Sequence, residues 1–201
     1  MIPAALGFRA HTGWAAVVAV AGPARDPDVI LSRRIELADP PLPESAQVYH
    51  AAAELPPAAA EKLVRETTER ACSRATAALR AIVAELGAAG RRAVASGIVG
   101  SHARLPSTVA DIVRSHALIH SAEGHLYREA LASASQACDL AVLGIPAKEL
   151  SGHATRAIAL SAAVLRTRIS EAGRAVGRPW AQDQKESMLI AWVALVSQSH
   201  T

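Results

Sequence analysis

Ala4-Ala5-Leu6-Gly7-Phe8-Arg9-Ala10-His11-Thr12-Gly13-Trp14-Ala15-Ala16-Val17-Val18-Ala19-Val20-Ala21 is the stretch that decides the fold. Two short apolar runs, Ala4–Ala10 and Trp14–Ala21, flank His11-Thr12-Gly13. That pattern predicts a hairpin with Gly13 supplying the turn. The second run is nearly continuous apolar, so it predicts a strand buried on both faces. Arg9 is the exception, a guanidinium on a mostly apolar strand, and a buried charge without a partner is costly.

Working outward, Gly22-Pro23 ends the second run, and Val29–Leu37 reads as a third, outer strand. The Pro-rich segment 39–57 predicts an irregular connection with a short turn around Gln47–Ala53. A long helix is expected over Ala58–Leu86, with Gly87 and Gly90 at its end. Ala93–Val99 reads as a buried strand closed by Gly97 and Gly100. Ser107–Gln136 reads as mostly helical, Leu140–Ile145 as a short strand, and Ala147–Ala175 and Gln182–Val196 as terminal helices. A strand meander followed by alternating helix and strand predicts a mixed five-stranded α/β sheet covered by helices. We read residues 1–201 as one domain, with the sheet in 1–145 and an extended helical C-terminal half in 146–201.

The chain has 201 residues, 51% of them hydrophobic but only 3% aromatic, so Ala, Val, Leu and Ile make the core. Basic residues are nearly all Arg, a bias that together with Ala points to a GC-rich genome. Net charge is +3 and the sequence pI about 9.2. That leaves nucleic acid open as a partner but falls short of a basic footprint. Cys72 and Cys138 lie far apart in apolar patterns and read as buried, reduced thiols. No signal peptide is visible. Gly, Pro or Arg breaks every apolar stretch before membrane-spanning length. The expected compartment is the cytosol, with no membrane partner.

The element order is that of the ribonuclease H-like fold, and the opening segment resembles the start of bacterial Holliday-junction resolvases. Those begin with Leu-Gly-Ile-Asp-Pro-Gly and continue to Thr-Gly-Trp-Ala; here Leu6-Gly7-Phe8 and Thr12-Gly13-Trp14-Ala15 match. Asp183-Gln184-Lys185-Glu186-Ser187-Met188 is similar to the acidic start of that family's last helix. The resemblance implies two-metal phosphodiester hydrolysis, in which clustered carboxylates hold ions that stabilise the attacking and leaving oxygens. Against it, Arg9 stands where the family has its first-strand Asp, and neither Ala93–Val99 nor Gly100-Ser101-His102 contains an acid. Asp183 and Glu186 alone do not make a hard-cation site. The carboxylate count therefore supports no divalent metal, and the sequence defines no cofactor. An actin-like or sugar-kinase ATPase is the neighbouring fold, but Arg9–Gly13 lacks the acid and Gly-rich backbone of its phosphate loop.

Two constellations carry chemistry. His11, after the first strand, and Ser101-His102, after the fourth, are expected at one sheet edge, where ligands bind in open α/β folds. Imidazoles there would serve as general acid and base. His116, His120 and Glu123 follow at i, i+4, i+7 on one helix face. Two His at that spacing can chelate zinc, but the pattern is not His-Glu-x-x-His, and a polar helix face explains it as well. We name no metal ligand from it. Gly124 within this patch costs roughly 1 kcal/mol against Ala, an inconsistency that marks function or close packing.

Two functional classes follow. In the first, an enzyme acts on a phosphate- or carboxylate-bearing substrate. His11, His102, His116, His120 and Glu123 are its catalytic candidates, and Arg9, Thr12, Ser101, Asp183 and Glu186 would bind a small anionic ligand. In the second, a catalytically silent nuclease-fold module binds nucleic acid or protein. Its Ala-rich segments Ala157–Val164 and Met188–Val196 would bury a partner helix or a second copy in a homodimer.

Overall fold

The computed structural model describes residues 1–38, 47–100 and 104–198. The chain opens with β1 (Ile2–His11), β2 (Trp14–Ala21) and β3 (Asp28–Glu36). α1 (Val48–Ala53), α2 (Pro57–Ala88) and β4 (Arg91–Val99) follow. Then come α3 (Val109–Ile112), α4 (His116–Gln136), β5 (Ala141–Ile145), α5 (Ala147–Ile158), α6 (Ala162–Val176) and α7 (Gln182–Gln198). The five strands form one mixed sheet in the order β3-β2-β1-β4-β5. β1 pairs antiparallel with β2 and parallel with β4, and β4 pairs parallel with β5.

The hairpin forms as expected. Gly13 takes φ 85°, a conformation that only glycine adopts without strain, and its carbonyl accepts the N–H groups of Leu37 and Ala38 at 2.8 Å. Those two hydrogen bonds fix the start of the connection after β3 against the β1–β2 turn. β2 is central enough that every residue from Ala15 to Ala21 is buried.

Alternation along β1 sorts its side chains between two cores. Ala4, Leu6 and Phe8 join α1, α2 and α4 on one face. Ala5 joins α5, α6 and α7 on the other. α2 begins with Pro57 at its first position, where the missing N–H costs nothing. It buries Ala60, Val64, Ala71, Ala75, Leu79, Ile82 and Leu86, an apolar stripe at helical spacing.

α7 lies directly on the sheet. A Cβ at Gly7 would overlap the Ser187 carbonyl oxygen, and one at Gly97 would fall 2.7 Å from that of Ile190. Ser187 Oγ donates to Ala16 O at 3.3 Å, and Trp192 Nε1 donates to Ala24 O at 2.7 Å. Met188 and Ile190–Val196 are buried against β1, β2 and β4. This corrects the expectation that Met188–Val196 offers a surface for a partner or a second copy: its apolar side chains already make the core. Full burial of each Met, Ile, Val or Leu among them contributes about 1.5–3 kcal/mol.

Three further expectations change. The helix foreseen over Ala147–Ala175 breaks at Ala159, which has φ 57°, so Ala157–Val164 crosses a helix boundary rather than forming one face. Ser107–Gln136 divides too, because Thr108 caps α3 by accepting the Asp111 N–H and α4 starts afresh after Ser115. Cys72 and Cys138 are free but half-buried rather than fully enclosed. Burial pushes both thiols above their ordinary range. Among the described residues no helix is long and apolar enough to cross a membrane.

Candidate functional site

The carboxyl end of β1 meets the start of α7. Odd-numbered residues of β1 face α7, so Arg9 and His11 reach its first turns. Arg9 Nε lies 3.1 Å from Glu186 Oε2, and His11 Nε2 lies 3.0 Å from Asp183 Oδ1. Gln182 Nε2 donates to the other Glu186 oxygen at 2.9 Å. Each carboxylate that the sequence offered as a ligand thus already faces a nitrogen of the chain. His11 also stacks on Trp14 at 4.2 Å, and the Arg34 guanidinium covers the same indole at 4.2 Å. Thr12 sits half-exposed in the turn beyond. Ser101 and His102 lie outside the described residues.

A second guanidinium stands close by. Arg128 of α4 packs over Gly100, at the end of β4, so tightly that a Cβ at Gly100 would overlap its Cδ. A Cβ at Gly124 would fall 2.9 Å from Arg128 Nη1, which gives the glycine in α4 its packing reason. Burial and the charge of Arg9 lower the Arg128 pKa, and Glu129 partly offsets them. Arg128 Nε has no hydrogen-bond partner among the described residues. Beside it opens a cavity of about 270 Å³ lined by Gly100, Glu129, Ser133, Gln136 and Gly144. A separate shallow cavity of about 950 Å³, between α6 and the start of α7, is lined by Arg174, Arg178, Trp180 and Lys185.

Hard divalent ions need several oxygen ligands. Among the described residues, the carboxylates that α7 brings to the β1 end are Glu186, beside a guanidinium, and Asp183, beside an imidazole. That set does not fit a two-metal centre, because Arg9 places fixed positive charge against Glu186.

The other sequence candidates assemble on the opposite face of the sheet. His116 and His120, one turn apart at the start of α4, meet His50 of α1. Their rings lie edge-on, with centroids 4.4 Å apart for His116–His120, 4.9 Å for His50–His120 and 5.4 Å for His50–His116. Glu123 is 2% exposed, and its Oε1 accepts from His50 Nδ1 at 2.8 Å and from the His50 backbone N–H at 3.3 Å. The carboxylate also raises the pKa values of Tyr49 and Tyr127, each already raised by burial. His11 and the His116–Glu123 group therefore have separate partners and do not line one cleft. Neither constellation read from the sequence includes His50. Only a fold that brings the connection after β3 over α4 makes the association visible.

No family model and no curated protein matches the chain. Solved structures do. A structure of Thermus thermophilus RuvC in complex with a Holliday junction substrate superimposes with TM-score 0.55 at 10% identity, covering 98% of this chain and 95% of that one. A second structure of the Thermus thermophilus protein gives TM-score 0.53 at 11% identity, covering 98% and 96%. The fold is that of RuvC. Coverage of nearly both chains means the RuvC fold includes the C-terminal helices as well as the sheet. At 10–11% identity the likeness extends to architecture alone.

Proposed function

We propose that the chain is a nucleic-acid-binding module on the RuvC fold that grips backbone phosphate without two-metal cleavage. The observation that carries this reading is Arg9 Nε 3.1 Å from Glu186 Oε2 at the carboxyl end of β1. In two-metal hydrolysis, positive charge at the scissile phosphate comes from ions that carboxylates hold. Here it comes from a guanidinium of the chain, with Arg128 as a second across Gly100. Guanidinium suits phosphate because its planar fork donates two hydrogen bonds at once. It cannot activate a water as a bound metal does, so binding is favoured and hydrolysis is not. The solved RuvC complex, whose ligand is a Holliday junction, and the basic α6–α7 surface support a branched or duplex ligand.

Fluorescence anisotropy of labelled four-way junction and duplex DNA, titrated across salt concentration, tests this. Saturable binding that weakens with salt is expected. Arg128→Ala should weaken binding to every sequence and reduce the salt slope by about 1, as loss of one phosphate contact does. Absence of saturable binding, or an unchanged slope in Arg128→Ala, would overturn the proposal.

A further inference from the structure

The histidine cluster on the α1–α4 face is separate from the Arg9–Glu186 pair, which lies across the sheet from it, although Arg128 shares α4 with His116 and His120. Three observations converge there. One ring nitrogen from each of His50, His116 and His120 lies within 4.8 Å of the others. Closing these nitrogens onto an ion at about 2.0–2.1 Å needs side-chain movement of under about 1 Å. Glu123, almost fully buried, accepts from His50 Nδ1, so that nitrogen carries the proton and Nε2 keeps the lone pair. His116 and His120 are exposed, which leaves the outer side of the cluster open to water.

We propose that His50, His116 and His120 bind one divalent transition-metal ion of the zinc class, with Glu123 as the carboxylate that orients His50. Imidazole is a ligand that zinc, copper and nickel share and that magnesium and calcium do not favour. Three protein nitrogens and an open fourth position make the donor set of sites that also hold water or substrate, rather than of closed structural sites. The carboxylate behind a ligating His fixes its tautomer and raises its basicity, and Glu123 is placed for that. A simple His50–Glu123 pair accounts for neither the convergence of three rings nor the placement of His116 and His120 one turn apart. Bound metal would tie α1 to α4 across the connection that follows β3.

Cobalt(II) titration of the full chain without a histidine tag tests the site, because four-coordinate cobalt absorbs visibly where hydrated cobalt barely does. One equivalent should saturate the spectrum, and zinc should abolish it by displacement. His120→Ala should lose the signal, and His116→Asn should too; both residues are exposed, so the fold survives and circular dichroism verifies it. Glu123→Gln should keep the stoichiometry and weaken affinity about 10–100-fold. His153→Ala, on α5, should change nothing. A spectrum that never saturates, or one that survives His120→Ala, overturns the site. Unchanged affinity in Glu123→Gln overturns the orienting role of Glu123.

Discussion

Arg9 Nε stands 3.1 Å from Glu186 Oε2, so the strand and helix that converge at the end of the sheet are joined by an ion pair. The same contact joins the first strand to the first turns of the last helix. With Arg9 in place, a cation from solution would have to compete with a guanidinium that cannot leave.

Removing that guanidinium should open the position to metal. Arg9→Asp leaves three carboxylates at the β1–α7 junction, with Asp183 and Glu186 as the other two. Manganese(II), followed by electron paramagnetic resonance, is expected to bind the variant at that end and not the parent, both carrying His120→Ala to silence the histidine cluster. Equal manganese binding by both would show that the ion pair does not control the donor set.

Gly124 separates binding from folding. An alanine there gains up to about 1 kcal/mol of helix propensity. Its methyl meets Arg128 Nη1, the far end of a flexible side chain, which must shift. Gly124→Ala should therefore keep or raise the melting temperature while weakening DNA binding measured by anisotropy. A variant that loses stability and binding in parallel would mean that Gly124 serves packing alone.

Much of the fold was legible from local pattern. Strand alternation, the Gly13 turn and the α2 stripe are short-range signals, and the mixed five-stranded sheet followed from their order. The break at Ala159 was not legible, because a positive φ at an alanine is imposed by tertiary packing. Nor was the burial of Met188–Val196, whose apolar side chains look the same whether they pack inward or wait for a partner. At the site, Arg9 signalled itself as a charge on an apolar strand. Arg128 gave no signal, because its role depends on β4 ending at Gly100 beneath it. His50 was hidden by its distance in sequence from His116.

Two glycines test how closely α7 rests on the sheet. Gly7→Ala drives a methyl into the Ser187 carbonyl, a backbone atom that cannot swing away. We expect a loss of about 1–3 kcal/mol or more, read as a melting temperature lower by several degrees. Gly87→Ala meets nothing within 4 Å and lies in a helix. It should be neutral or stabilising, by about 0.5–1 kcal/mol. Similar effects at both positions would contradict the close contact.

Alkaline pH gives a further check through Tyr127, which is fully buried. Burial and then the Glu123 charge push its phenol from 10.0 up to about 12. A raised folded-state pKa means that the unfolded chain loses its proton first. The stabilising contribution is thus whole below pH 10.0 and is lost as pH rises toward about 12. Denaturant unfolding across that window should show stability falling by an amount on the order of 2–3 kcal/mol. Glu123→Gln should shift the tyrosinate absorbance transition to lower pH. A transition unmoved by that substitution would place the Glu123 charge elsewhere.

Cleavage is the most direct test of a phosphate grip that does not hydrolyse. Labelled four-way junction DNA, incubated with saturating full chain in magnesium or manganese and resolved on a denaturing gel, should keep every strand intact while a native gel shows the complex. Nicked strands that depend on the divalent ion and on Glu186 would contradict the role assigned to Arg9.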